Sequence, residues 1–163
     1  MNIKSCFFTG HRSFSCSRNS EAAENLVSVL IELIEKGVTD FYAGGAIGWD
    51  MYCEQTVLKL KEKYPKIKLH MVLPCSPAEQ TLKWSEHSKR EYEDILKCAD
   101  SIDIVAERYH RNCMRERNAR LTELGDICVC YFDKKDTRSG TAQTIRMARE
   151  AQKTVINICQ TEK

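Results

Sequence analysis

The residue types that hold anions are concentrated in a few turns of this chain. The richest stretch runs from Phe41 to Glu54: Gly44, Gly45, Ala46 and Gly48 lead through Trp49 into Asp50 and, four residues on, Glu54. Val38 and Thr39 begin a short strand before it, and a lysine-rich amphipathic segment follows as far as Tyr64. Glycines let a backbone approach a phosphate with no Cβ in the way, and the free N–H groups of a helix N-terminus then point at the anion. Each charge–dipole contact of this kind contributes roughly 0.3–1 kcal/mol. A nucleotide phosphate is the natural guest. Asp50 stands where a helix N-cap belongs, and Asp50 and Glu54 are the candidate acid–base groups. The spacing is neither the dinucleotide-binding Gly-x-Gly-x-x-Gly nor a Walker loop, and a glycine pair at a strand end also serves as a plain tight turn.

Other segments repeat the theme. Thr9, Gly10, His11 and Arg12 close an apolar run with a hydroxyl, backbone amides, one titratable ring and one guanidinium, which suits either a phosphate or an exposed basic turn. In the segment Met114 to Asn118, helical spacing puts Met114, Asn118 and Leu121 on one stripe, with Arg117 at its border. An amide and a guanidinium on a sheet-facing stripe need partners. Phosphate and ribose hydroxyls would serve, and so would a surface ion pair with Glu107 or Glu116. Ser139, Gly140 and Thr141 open the last helix and can offer amides and hydroxyls to a second phosphate, or merely cap it. Trp49 and Trp84 are amphipathic aromatics able to stack on a base. Trp49, between Gly48 and Asp50, is expected to stay out of the deep core.

These turns need a scaffold, and the apolar pattern supplies one. Strands are expected at 3–9, after Val38, at 67–73, 101–106, 126–132 and 154–158. Between them, helical periodicity places Ala23, Leu26, Val27, Leu30 and Ile34 on one helix closed by Gly37. Further helices are expected at about 50–63, in two pieces between Pro77 and Cys98, from Cys113 to Leu124, and from Gly140 with Ala142, Ile145, Ala148 and Ala151 inward. Alternation of continuous apolar strands with helices predicts one doubly wound α/β domain over 1–163, its mainly parallel sheet covered by helices on both faces. In such sheets ligands sit outside the strands' carboxyl ends, where the strand order reverses. All the candidate turns follow strands, so one crevice can gather them.

Composition narrows the class. With 163 residues, 42% hydrophobic and 29% charged, the chain has enough for one cored domain and little for two. A net charge of +2 gives no field favouring DNA or anionic membrane. Five arginines lie between 108 and 120, but Glu107 and Glu116 interleave with them and no aromatic ladder accompanies them, which argues against a nucleic-acid partner. Nine cysteines, none in a Cys-x-x-Cys pair, read as reduced thiols. No membrane span or signal peptide is expected, and the expected location is the cytoplasm. No metal site and no required cofactor are read from the sequence, and a homodimer is the expected assembly.

Taken together, Phe8 to Arg12, Gly44 to Glu54, Pro74 with Gln80 and Trp84, Arg117-Asn118 and Gly140-Thr141 resemble the YpsA-like proteins of the SLOG superfamily, relatives of the Smf proteins and the LOG-type phosphoribohydrolases. The resemblance covers nearly the whole chain in order. It implies a Rossmann-like fold and a site for a nucleotide or an ADP-ribose-like ligand. Met114 and Arg117 are similar to the LOG Met-x-x-Arg segment, whose arginine meets the substrate phosphate. The LOG motif Gly-Gly-x-Gly-Thr-x-x-Glu is only partly present: Arg138-Ser139 stands at its glycine pair and Thr144 at its catalytic glutamate. A hydroxyl cannot do a carboxylate's work at an oxocarbenium-like centre. The resemblance therefore implies a non-catalytic nucleotide sensor with Trp49 near the base or ribose. The alternatives are an N-glycoside hydrolase using Asp50 or Glu54 and, as in the Smf relatives, single-stranded DNA binding.

Overall fold

The structure is a computed structural model and describes residues 2–135 and 139–159. Six strands, β1 (Ser5–Gly10), β2 (Asp40–Ala43), β3 (Lys68–Leu73), β4 (Ser101–Ile104), β5 (Ile127–Tyr131) and β6 (Thr154–Asn157), alternate with helices α1 (Ser20–Glu35), α2 (Trp49–Lys61), α3 (Pro77–Gln80), α4 (Glu86–Cys98), α5 (Cys113–Leu124) and α6 (Gly140–Glu150). All pairings are parallel and the sheet order is β4-β3-β2-β1-β5-β6. This is the expected doubly wound, Rossmann-like α/β fold. The chain winds outward from β1 to β4, then returns to place β5 on the other side of β1. The reversal therefore falls between β1 and β5, which fixes where a crevice opens.

Strand alternation sorts the core into two layers. Phe8, Phe41, Leu69, Met71 and Val129 point to the side of α1, α2 and α4, where Leu26, Leu30, Val57 and Ile95 meet them. Phe7, Val72, Cys128 and Cys130 face Leu121 of α5 and Ile145 and Ala148 of α6. Each fully buried side chain of this size contributes about 1.5–3 kcal/mol.

Helix ends follow local chemistry. Ser85 accepts the Ser88 N–H to start α4, and Ser139 accepts that of Ala142 to start α6. Gly37, at φ 111°, ends α1 while Val38 N–H returns to the Leu33 carbonyl. At the far end of α5 the Lys153 ammonium reaches the carbonyls of Thr122, Glu123 and Gly125, the favourable sign at a helix C-terminus.

Several boundaries and placements differ from the sequence pattern. β4 stops at Ile104 rather than 106 and is exposed along its length, because it is an edge strand with one neighbour. Leu82, in the connection after α3, is 73% exposed rather than part of the apolar side. Ala151 lies beyond α6 and is exposed.

Gly125 joins α5 to β5 where the Phe7 ring closes over it, and an added Cβ would lie 2.4 Å from Phe7 Cδ1. Since Phe7 is fully buried and has nowhere to retreat, Gly125→Ala should destabilise the fold by about 1–3 kcal/mol. A urea titration reads this as a lower midpoint; an unchanged midpoint contradicts the packing.

Candidate functional site

A cleft of about 580 Å³ opens at the carboxyl ends of the central strands, between the β1 and β5 loops. Such a volume lies within the range of small-molecule sites. The β1 loop contributes Thr9, Gly10, His11 and Arg12; α2 and the turn before it contribute Asp50 and Ala46. Met114, Arg117 and Asn118 arrive from α5, and Ser139, Gly140 and Thr141 from the start of α6. Eleven of these twelve (all but Met114) were singled out in the sequence as ligand residues, and the fold brings them to one place. Helices α5 and α6 enter side by side, so that a Cβ on Gly140 would come to 3.8 Å from the Asn118 amide nitrogen.

Arg117 is the charge at the cleft floor, 6% exposed. Its Nε donates to Asn118 Oδ1 at 2.8 Å, its Nη1 donates to the Gly44 carbonyl, and among the described residues Nη2 has only the Met114 sulfur at 3.7 Å. Neither Glu107 nor Glu116 pairs with it; Glu116 faces His110 instead. Burial pulls the guanidinium's pKa down, while the Asp50 carboxylate opposes that fall. Arg12, exposed at the cleft rim, adds a second cation, its Nη2 4.0 Å from Met114 Sδ.

The two carboxylates divide. Asp50 lies in the first turn of α2 rather than at its cap, which is Gly48, and its Oδ2 accepts the Ala46 N–H at 3.3 Å. Burial raises its pKa to about 6, against the pull of Arg117, the Ala46 amide and Arg12. Glu54 is fully buried and does not border the cleft. Its Oε2 accepts the Gly45 N–H at 3.1 Å, Oε1 has no hydrogen-bond partner among the described residues, and burial together with the nearby Asp50 charge raises its pKa well above the usual carboxylate range. Glu54 therefore holds the turn and is removed from the reacting space. The same turn is gripped from the other side, where Gln80 Nε2 donates to the Gly45 carbonyl at 3.0 Å while its Oε1 accepts from Tyr92 Oη at 2.6 Å.

The glycines serve a different end from the one their spacing suggests. A Cβ on Gly44 would lie 2.5 Å from Arg117 Nη1, one on Gly45 2.8 Å from Leu73 Cδ2, and one on Gly48 2.4 Å from the Arg12 carbonyl oxygen. Gly45 and Gly48 also hold φ of 74° and 80°. Protein atoms, not a ligand, fill the space these glycines leave. Gly44, Gly45 and Gly48 shape the cleft wall from behind.

Trp49 requires a correction. It is fully buried, packed against Phe14 at 4.9 Å and Tyr131 at 5.4 Å between ring centroids, and the missing Cβ of Gly10 makes room for it. It cannot stack on a base. His11 is likewise engaged: its carbonyl accepts the N–H groups of Phe14 and Trp49, and its Nε2 accepts that of Asp133 at 2.9 Å. It ties the β1, β5 and α2 turns together. Thr144 is fully buried and donates to the Gly140 carbonyl of its own helix. Arg138 lies outside the described residues.

Asp133 and Ser13 also line the cleft, and only their place in post-strand loops could have announced them. His70, whose surroundings in sequence carry no sign of a partner, has two in the structure, Asp40 Oδ1 at 2.7 Å and Ser101 Oγ at 2.6 Å. This chain of polar groups crosses the amino ends of β2, β3 and β4, away from the cleft, and ties the strands there.

A Rossmann-like domain with one polar, cation-floored cleft at its switch point is thus defined by the geometry. The family comparison agrees: the model of the YpsA family, described as the YspA SLOG family, matches residues 6–162, and the chain belongs to that family. A UPF0398 protein of Halalkalibacterium halodurans is 30% identical over 125 residues, covering 76% of this chain and 65% of that protein. One from Bacillus velezensis is 25% identical over 134 residues, covering 77% and 72%. Some curated relatives are thus longer than the region matched: the chain spans just under two thirds of the first of them. Among solved structures, the X-ray structure of TM1055 shares the fold at TM-score 0.58 and 17% identity, covering 94% of this chain and 72% of that one.

The raised pKa of Asp50 has a definite consequence for stability. Between its unfolded value near 3.8 and its folded value of about 6, the folded state keeps a proton that the unfolded state has lost. Stability from this group therefore falls as pH rises through that window, and the cost is fully present above it. Asp50→Asn, which keeps an oxygen to accept the Ala46 N–H, should melt higher than the parent chain at pH 7.5 and alike at pH 4. A lower melting point at pH 7.5 would mean that Asp50's attraction for Arg117 outweighs its burial.

Proposed function

We propose that this domain binds a nucleotide or ADP-ribose-like derivative and acts as a non-catalytic sensor or regulatory module. Its phosphates sit over the β1 loop and the α6 N-terminus, between Arg12 and Arg117. The observation that carries this is the convergence of a buried guanidinium, a rim guanidinium and the cap region of α6 on one cleft at the strand-order reversal. Charge-assisted hydrogen bonds from arginine are the strong ones available to a phosphate. Family membership supports the same ligand class. Thr144, at the position of the LOG-type glutamate, is buried and turned to its own helix, which supports binding without turnover. Cytoplasmic location and a homodimer belong to the same proposal; six buried free cysteines support a reducing compartment. Among the described residues no helix is long and apolar enough to cross a membrane.

One observation favours a second reading. Asp50 borders the cleft with a pKa of about 6, close to what a general base at neutral pH needs. An N-glycoside hydrolase built on Asp50 is therefore the rival.

A single experiment separates them. ADP and ADP-ribose are expected to raise the melting temperature saturably, a ligand at 100 times its Kd adding about 2.7 kcal/mol, with no free base detected by chromatography. Arg12→Ala, an exposed and fold-neutral change, should weaken ADP about tenfold, the order expected for a charge-assisted contact. Base release that disappears in Asp50→Asn would establish the hydrolase. No shift with any phosphate-bearing nucleotide at millimolar concentration would overturn both.

A further inference from the structure

With Trp49 sealed in the core, the ring of a nucleotide needs another wall, and the structure has one. A second cavity of about 680 Å³ adjoins the cleft, sharing Arg12 and Met114 with it. Its other walls come from the α3 region, with Leu82, Lys83 and Trp84, and from Tyr109 in the connection between β4 and α5. The character of the two lobes differs. The first is floored by Arg117 and Asp50; the second carries an indole, a phenol and a leucine. Leu82 is 73% exposed and Tyr109 59% exposed, a large apolar surface left open directly beside a polar cleft.

The lobe is also held in shape. Glu79 accepts the backbone N–H of Tyr109, fixing the β4–α5 connection against α3. Ser76 caps α3 through the Glu79 N–H at 3.4 Å. Gln80, one residue on, is locked to the Gly45 carbonyl and to Tyr92, and the Trp84 ring meets Tyr92 edge-on at 5.1 Å between centroids. The turn that carries Asp50 and the wall that carries Trp84 are therefore one connected unit. Between the lobes stands the Arg12–Met114 contact, a cation and a polarisable sulfur, able to face phosphate on one side and a ring on the other.

We propose that this second lobe is the ring subsite of the same ligand: a nucleobase stacks on Tyr109 and Trp84 while its phosphates pass Arg12 into the first lobe. The proposal rests on the nucleotide-binding reading and assigns Tyr109 and Trp84 as the residues that distinguish a nucleotide from a bare polyphosphate. Two lobes of similar size joined at a cationic neck suit a ligand with a planar ring at one end and phosphate at the other. Aromatic walls tolerate any base, because every base has a π face. Discrimination among bases falls to Glu79 and Lys83, the charged groups on this lobe besides Arg12 at the neck.

Calorimetric titration of the full chain with ADP and with inorganic pyrophosphate tests this. Tyr109→Ala, at an exposed position, should weaken ADP about tenfold, the order of a lost base–aromatic stack, and leave pyrophosphate within twofold. Tyr109→Phe should restore ADP. Loss of ADP and pyrophosphate in parallel would make Tyr109 part of the phosphate site and overturn the subsite, as would ADP binding that ignores Tyr109→Ala and Trp84→Phe alike. A parent chain that binds neither probe would overturn the nucleotide reading itself, and the subsite with it.

Discussion

The structure depends on one buried guanidinium. Arg117 is taken out of water at the floor of the cleft, where a lone cation is costly. It is kept there by the Gly44 carbonyl, the Asn118 amide oxygen and the nearby charge of Asp50. Each partner in turn dictates something else. The Gly44 carbonyl is reachable only because that residue has no Cβ. Asn118 must follow directly on α5. Asp50 must lie in the first turn of α2, so the glycine turn has to deliver α2 at that height above the sheet. One arm of the guanidinium has, among the described residues, only a weak sulfur acceptor, and that arm is what the proposed anion would use.

This changes the meaning of the glycine-rich turn. Its glycines are places where other parts of the protein press in: Arg117 on Gly44, Leu73 and Tyr92 near Gly45, the Arg12 backbone against Gly48. Glu54 and Gln80 then hold Gly45 by its N–H and its carbonyl. The turn is a wall that sets Asp50 and Ala46 into the cleft, while in the proposed function the phosphates face the β1 loop and α6. The same rigidity reaches the aromatic lobe through Gln80 and Tyr92, so the two lobes share one brace.

Much of this was legible in the chain because parallel strands buried on both faces write continuous apolar runs, as in β1, β5 and the second half of β3. Cleft residues were legible because anion-binding chemistry uses few residue types and puts them after strands. Trp49 was misjudged for a physical reason. Its neighbours are a glycine and an aspartate, which speak for a surface turn, but the cavity that accepts it is made by Gly10 and Phe14, some 35–40 residues earlier in sequence. A glycine tells that a side chain is excluded; it does not tell whether ligand or protein takes the space. His70 shows the same limit. Its partners Asp40 and Ser101 lie 30 and 31 residues away and meet it only through strand register. Tyr109, in a loop without pattern, carried no signal until α3 was seen beside it.

In the proposed function, the Arg117 cleft is an anion site shared by three turns. The most direct measurement is a crystal structure of the chain soaked with ADP. The phosphates are expected between Arg12 and the α6 N-terminus, within hydrogen-bonding reach of the Gly140 and Thr141 amides, above an Arg117 that still holds the Gly44 carbonyl. Phosphates bound elsewhere, or an Arg117 side chain that leaves Gly44 and fills the cleft itself, would contradict it.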